Sequence, residues 1–233
     1  MSLPPHYIAL GREIVNAVAP QTLDDARRFG AEIARRHAVD MLDATLARTP
    51  PPQRKTLACV QGCAFCCHRQ VAVGAAEVFG LLDHLRATLD AEAFTEFSAR
   101  CIATADAVAQ MAPGERVLRS VACPVLVDGA CSGYAARPFR CRAYNSLDVE
   151  PCRRFFDAPS ENDPGPPADL DRYVVAQAVM FGLYAGLDRA GLDPRQYELA
   201  TALAEALSDA DAPLRYRRGE QALRRATILS ERT

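Results

Sequence analysis

The sequence predicts a mainly α-helical domain that encloses a small, irregular, Cys-rich module with a short hairpin. Three observations carry that expectation. Apolar residues recur at helical spacing in long stretches at both ends of the chain and twice within its middle third. Proline- and glycine-containing breaks punctuate those stretches. Between residues 120 and 157 the periodicity fails, and the chain becomes short-paced and rich in cysteine.

In chain order, Thr22 to Arg48 reads as a helix. Thr22 is placed to cap it, Asp24 and Asp25 fall in its first turn, and Leu23, Ile33, Val39, Leu42 and Leu46 recur at helical spacing. Pro50, Pro51 and Pro52 stop it. Gly74 precedes a second helix, Ala75 to Leu89. Asp90 caps a third, which runs to about Met111 before Pro113-Gly114. Asp128-Gly129 marks a turn between two brief extended pieces. Residues 158 to 168 form a polar, proline-rich connector. Asp169 to Ala190 is the strongest helix of the C-terminal part, with Val174, Val175, Ala178, Val179, Phe181 and Leu183 on a broad apolar face. Two more helices fit Pro194 to Ser208 and Ala212 to Leu229. The expected organisation is therefore an N-terminal helical segment (1–54), a cysteine module with two inserted helices (55–157), a connector (158–168) and C-terminal helices packing on the module (169–233).

Composition excludes several classes. The chain has 233 residues, is 49% hydrophobic and carries a net charge of -2, enough for one well-buried core and without the basic excess that nucleic-acid binding calls for. Residues 1 to 20 contain no continuous apolar stretch of the secretory kind, and no run of about 18 apolar residues predicts a membrane span. These readings point to the cytoplasm, where thiols stay reduced and clustered cysteines serve metals or redox chemistry rather than disulfides. The odd count of nine cysteines also fits poorly with complete pairing. The excess of 26 arginines over a single lysine, Lys55, together with the abundant alanine, reads as coding bias.

Eight of the nine cysteines form two clusters. The first is Cys59-Val-Gln-Gly-Cys63-Ala-Phe-Cys66-Cys67, four thiols within nine residues. The second is spread over Cys123, Cys131, Cys141 and Cys152. Packing asks for small apolar side chains, not adjacent thiols; many soft donors in one place suit a soft or borderline metal. As a helix-like turn, the first run would carry its thiols largely on one face, with Gly62 leaving the backbone room to bend. Adjacent Cys66 and Cys67 point in different directions, so one of them can serve a second metal. The wide spacing of the second cluster predicts loop ligands that meet only in the fold. Five arginines lie between 137 and 154, against three acids between 123 and 154. They read either as counter-charge to thiolates or as solvated surface.

The order Cys-x3-Cys-x2-Cys-Cys, then Cys123-Pro124, Cys131, Arg137-Pro138-x2-Cys141 and a last Cys152 resembles the YkgJ-type cysteine-cluster family, also described as CxxCxxCC proteins or putative zinc- or iron-chelating domains. The resemblance covers residues 59 to 154; Val71, Val73 and Glu77 look like the segment that follows the Cys-Cys pair in longer members. It implies metal or iron–sulfur binding by Cys59, Cys63, Cys66, Cys67, Cys123, Cys131, Cys141 and Cys152, and it implies no particular reaction. A flagellin lysine methylase carries a similar cysteine pattern.

Other motifs compete less well. Cys59-x3-Cys63-x-Phe-Cys66 has the spacing of the radical S-adenosylmethionine motif, but it follows a helix and prolines rather than the first strand of a barrel. Covalent haem would require cysteine at position 64, which is Ala64. His68 reads as a neighbour of the thiols rather than a ligand. Glu77 reads as a helix N-terminal carboxylate before a metal ligand or base. Cys101 reads as a buried small hydrophobe, and Tyr134 and Tyr144 as lids over the site. No phosphate-binding glycine loop, Gly-x-Ser-x-Gly or His-Glu-x2-His is present.

The resulting expectation is a metal-binding cysteine-cluster protein. An iron–sulfur cluster of the [4Fe–4S] type is preferred over zinc, because the Cys-Cys pair does not match a zinc ribbon built from two separate knuckles. Its role would be redox, sensing or metal and cluster handling. The alternatives are a zinc-stabilised interaction module with a protein partner, and a cluster-dependent enzyme of the radical or lysine-methylation kind. Neither nucleic acid nor membrane is expected as a partner, and whether the chain is an enzyme stays open.

Overall fold

Two long helices begin the chain in the computed structural model, which describes residues 3–48, 56–112, 114–163 and 165–230. Helix α1 (Pro5–Phe29) has proline at its start, where the missing N–H costs nothing, and α2 (Ala31–Arg48) follows a break at Gly30 with φ 90°. The expected single helix from Thr22 is thus two. Thr22 and Asp25 lie buried inside α1 rather than at a helix start. Asp25 accepts from Gln21 Nε2 at 3.1 Å and pairs with His37 Nδ1 at 3.0 Å, so its carboxylate spans the Gly30 break instead of meeting an N-terminal dipole. The expected stop at Pro50 to Pro52 lies outside the described residues.

Strand β1 (Ala72–Gly74) leads directly into α3 (Ala75–Thr88). Asp90 caps α4 (Ala91–Ala109) by accepting from Ala93 N at 2.9 Å, as expected. Strands β2 (Leu126–Val127) and β3 (Ala130–Cys131) form the predicted hairpin. Its turn has positive φ at both Asp128 (49°) and Gly129 (75°), the twist that suits a two-residue hairpin. Two short helices follow, α5 (Phe139–Ala143) and α6 (Val149–Asp157), the latter capped by Asp148. The helix expected over Asp169 to Ala190 is α7 (Leu170–Arg189), with Asp169 as its cap.

The remainder departs from the expected pair of helices. Residues Gln196–Glu198 form strand β4 before α8 (Leu199–Ser208), and α9 is only Ala212–Arg217, with Ile228–Ser230 forming β5. The order β1-β4-β5 makes a small antiparallel sheet, with Val73 opposite Tyr197. Buried carboxylates explain why the helix ends early. Glu205 accepts backbone N–H groups from Arg224 (2.7 Å), Arg225 (2.7 Å) and Ala226 (2.6 Å). Asp193 accepts from Ala222 N at 2.8 Å and from the Tyr197 hydroxyl at 2.5 Å. Amides held this way cannot serve a helix ladder.

The molecule is mainly helical, and one apolar cluster joins α2, α3, α4, α7, α8 and the sheet through Leu42, Leu82, Phe97, Val179, Leu183, Tyr197 and Leu203. Helix α1 lies against α7 at close range because Gly182 and Gly186, one turn apart, present no side chain. A Cβ at Gly186 would stand 2.5 Å from Thr22 Cβ and 2.7 Å from the Ala19 carbonyl oxygen. Replacing Gly186 by alanine should therefore lower the unfolding free energy by about 1–3 kcal/mol, the usual cost of overpacking. Urea denaturation of Gly186→Ala checks this; unchanged stability would mean that α1 shifts freely on α7.

Candidate functional site

The clustered cysteines lie on the loop and 3-10 turn ahead of β1, on the loop before β2, on β3, on α5 and on α6. Cys59 and Cys63 sit in loop, Cys63 just after a turn at Gly62 with φ 87°. Only Cys66 and Cys67 lie in a helical turn, the 3-10 turn Phe65–His68, where Cys67 N donates to the Ala64 carbonyl at 2.9 Å. The expected one-faced helical run of four thiols is therefore not formed; Gly62 and the tight 3-10 geometry bend the segment instead. Cys123 follows the loop from α4, Cys131 lies on β3, Cys141 on α5 and Cys152 on α6.

Backbone pairing draws the two clusters together. Cys123 N donates to the Cys67 carbonyl at 2.7 Å, and Val121 N to the His68 carbonyl at 3.1 Å. Ala58 N donates to the Ser146 carbonyl at 2.8 Å, and Ser146 N returns a hydrogen bond to Cys59 Sγ at 3.3 Å. A negative charge on Cys59, Cys63 or Cys66 would raise the Cys152 thiol further, and one on Cys123, Cys66 or Cys131 the Cys141 thiol, both after burial as the larger cause.

Burial sets the protonation of this group. It pushes the thiols of Cys59, Cys131, Cys141 and Cys152 up, and that of Cys123 up to about 12. A hydrogen bond with the neighbouring Cys67 thiol, then burial, raises Cys66 further. Thiols gathered out of water disfavour the thiolate until a cation joins them. Arg137 is the side chain whose positive charge acts on both Cys66 and Cys131. Its guanidinium carbon lies 3.7 Å from the Tyr134 ring centroid, and its buried Nε has no hydrogen-bond partner among the described residues.

The five arginines between 137 and 154 differ in their partners. Arg142 donates to the carbonyls of Arg137 (3.1 Å) and Ala135 (2.5 Å), and Arg140 to Gln177 on α7 at 3.3 Å. Arg153 and Arg154 are solvated and pair loosely with Glu150 and Asp163.

Two buried charged groups form the frame of the site. Glu77, 3% exposed, accepts from Gly74 N at 3.0 Å and Phe139 N at 2.8 Å, and from the Tyr184 hydroxyl. It thus caps α3 and fixes the start of α5, which carries Cys141. The helix-terminal reading of Glu77 agrees with this, although the reach to α5 and α7 is invisible in the sequence. Arg116, 5% exposed, donates to four carbonyls, those of His68 (3.2 Å), Arg69 (3.2 Å), Arg119 (2.9 Å) and Val121 (3.3 Å), and faces Glu198 at 3.8 Å. No spacing signal in the sequence singles out Arg116 or Ser146, because both act through backbone groups that meet only in the fold.

The remaining residues take plainer places. His68 packs edge-on against Phe156 at 4.7 Å, and its Nδ1 lies 3.0 Å from the Ala64 carbonyl. Cys101 is fully buried on α4 among apolar side chains. Tyr134 and Tyr144 are exposed beside the thiols. The strands β1, β4 and β5 are antiparallel, unlike the parallel barrel start that the radical motif accompanies. A polar groove of about 540 Å³, with no cysteine in its lining, lies between α2, α3 and the Ala135–Ala136 turn, lined by Arg35, His37, Asp40, His84 and Arg142 among others.

Among the described residues, no three Cys, His, Asp or Glu side chains stand in a closed metal-holding arrangement. The eight clustered cysteines carry free thiols of the soft kind that thiophilic metals take, and all but exposed Cys59 are half-buried. No helix among the described residues is long and apolar enough to cross a membrane. No family model matches the chain, and no curated protein and no solved structure is similar to it.

Removing the Arg116 clamp should loosen this end of the molecule selectively. In Arg116→Met, amide hydrogen exchange should accelerate at residues 66–69 and 119–123 while α1 and α7 keep their protection. Uniform acceleration would assign Arg116 to the general core instead. Glu77→Ala leaves two backbone amides and a buried hydroxyl without their acceptor and should cost about 3–5 kcal/mol in urea unfolding; a loss below ~1 kcal/mol would contradict the role given to Glu77.

Proposed function

We propose that the chain is a metal–thiolate protein whose eight clustered cysteines, Cys59, Cys63, Cys66, Cys67, Cys123, Cys131, Cys141 and Cys152, hold the metal. One observation carries the reading. Backbone pairing joins the Cys59–Cys67 loop to the segment at Cys123 and to Ser146 between α5 and α6, so the two runs of cysteine meet in the fold with every thiol free. The resemblance to the YkgJ-type cysteine-cluster proteins supports it. The preferred centre is an iron–sulfur cluster of the [4Fe–4S] type, with zinc as the alternative. A bound cluster would supply electron transfer or redox sensing, and a zinc ion a structural cross-link.

This chain's own residues bring the thiols together, partly shield them and supply counter-charge through Arg137. Glu77 and Arg116 are positioning residues, holding the backbone of α5 and of residues 67–69. The role that follows is redox, sensing or the handling of metal.

The test is anaerobic purification followed by iron, zinc and acid-labile sulfide analysis on one sample. Iron with sulfide and a broad visible absorption supports the preferred centre, stoichiometric zinc without sulfide supports the alternative, and neither metal above background ends the proposal. Two further outcomes are expected. Cys66→Ser or Cys67→Ser should lower metal content severalfold while Cys101→Ser leaves it unchanged; equal effects would remove the ligand assignment. Chelation of the metal should unfold mainly residues 56–157, as a loss of hydrogen-exchange protection there, because binding free energy becomes folding free energy when metal completes a module.

A further inference from the structure

The groove between α2, α3 and the Ala135–Ala136 turn carries chemistry that the thiols do not share. Its volume of about 540 Å³ falls within the roughly 300–1,000 Å³ typical of small-molecule sites. Three guanidinium groups line it, those of Arg35, Arg36 and Arg142, and three carboxylates, those of Glu32, Asp40 and Asp83. With His37 and His84 neutral, the lining has no net charge, which favours a singly charged or zwitterionic guest over a phosphate dianion.

Two of the guanidinium groups are fixed by the fold and keep a donor spare. The Arg35 side chain is only 9% exposed. Its Nε and Nη2 donate to Glu32 at 2.9 and 2.7 Å, and Gly80 on α3 admits it, since a Cβ there would stand 2.4 Å from Arg35 Nε. Arg142 donates through Nε to the Arg137 carbonyl at 3.1 Å and through Nη2 to the Ala135 carbonyl at 2.5 Å. Among the described residues, neither Nη1 has a protein acceptor. Burial most, and then Arg137, works against the Arg142 charge; Asp43 supports it and Arg35 opposes it. An anion at these spare donors gains charge-assisted hydrogen bonds with little further ordering of side chains.

The same lining offers acceptors. His37 meets the buried Asp25 carboxylate through Nδ1 at 3.0 Å. With Nδ1–H donating to Asp25, Nε2 becomes an acceptor. Asp40, one turn further along α2, is exposed. The other two carboxylates are already engaged, Glu32 with Arg35 and Asp83 with Arg86 at 3.4 Å.

We propose that this groove binds a small organic carboxylate that also carries a hydroxyl or amino donor. The carboxylate takes the spare Nη1 donors of Arg35 and Arg142, Asp40 or His37 accepts the donor, and Val39 and Ala136 line the space for an apolar body. The groove contains no cysteine, so it stands or falls separately from the metal centre.

The test follows amide shifts of the full chain by NMR during titration with phenylpropionate, phenyllactate and phenylalanine. These share one skeleton and bear no added donor, a hydroxyl and an ammonium group respectively; inorganic phosphate is the comparison anion. Saturable shifts centred on residues 32–40, 80–84 and 135–142 are expected. Phenyllactate or phenylalanine should bind at least ~threefold more tightly than phenylpropionate, and the tighter of the two identifies the donor. Ala135 is exposed, so Ala135→Glu should keep its far-ultraviolet dichroism. The new carboxylate competes for Arg142 and should weaken binding about tenfold, as should Arg142→Gln where that variant folds. Shifts centred elsewhere, tighter binding of phosphate, equal affinity for the three organic probes or undiminished affinity in folded Ala135→Glu would each overturn the site. Absence of saturable shifts with every probe would overturn it as well.

Discussion

The buried carboxylate of Glu77 ties together three parts of the molecule that are far apart in sequence. It takes the amide of Gly74 at the end of β1, the amide of Phe139 at the start of α5 and the hydroxyl of Tyr184 on α7. A carboxylate taken out of water is tolerated only when donors surround it, so the three elements must stay where they are for Glu77 to remain buried. Gly74 belongs to the same constraint, since a Cβ there would stand 2.9 Å from the Tyr184 ring. Removing any one donor leaves the others pointing at a charge with fewer partners. The rest of the cysteine region is built outward from this point.

Other buried charges repeat the device. Asp25 spans the break between α1 and α2, Glu198 caps α8 and faces Arg116, and Glu205 and Asp193 collect the amides of residues 222, 224, 225 and 226. Burial pushes the Glu198 carboxyl up, while the Thr201 amide and Arg116 pull it down. The fold thus uses acidic side chains as acceptors for backbone groups that no regular ladder satisfies. Arg116 is the cationic counterpart, serving carbonyls on both sides of the Cys67–Cys123 junction. In this region, where secondary structure is short, these side chains replace the sheet or helix that would otherwise hold two loops together.

Helix starts were the most legible part of the sequence. Asp90 caps α4 as its position ahead of apolar periodicity suggests, α7 starts where its periodicity does, and Asp128-Gly129 makes the hairpin turn that its conformational freedom favours, whereas Thr22 lies inside α1. Less legible was everything decided by a distant partner. Helix α1 reaches back to Pro5 because the smallness of Gly182 and Gly186 on α7 lets it dock, a cause 160 residues away in the chain. The short β4 and β5 strands carry no run long enough to show alternation, and they exist because β1 and the Glu205 contacts gather them. At the site, the thiols themselves announce a common chemistry, but Ser146, Arg116 and the reach of Glu77 leave no trace in spacing.

By itself, the sequence determined the helical character, the turn at Asp128-Gly129, the clustering of eight thiols along the chain and the burial of Cys101. These are local properties, set by periodicity, capping and the crowding of one residue type. Tertiary structure alone decided that the Cys59–Cys67 loop is not one helix, and which cysteine segments are neighbours through their backbone, Cys67 with Cys123 and Cys59 with Ser146. Neighbourhood depends on where buried charges such as Glu77 and Arg116 pin the backbone, and the desolvation that makes those charges demand partners arises only once the core has closed around them.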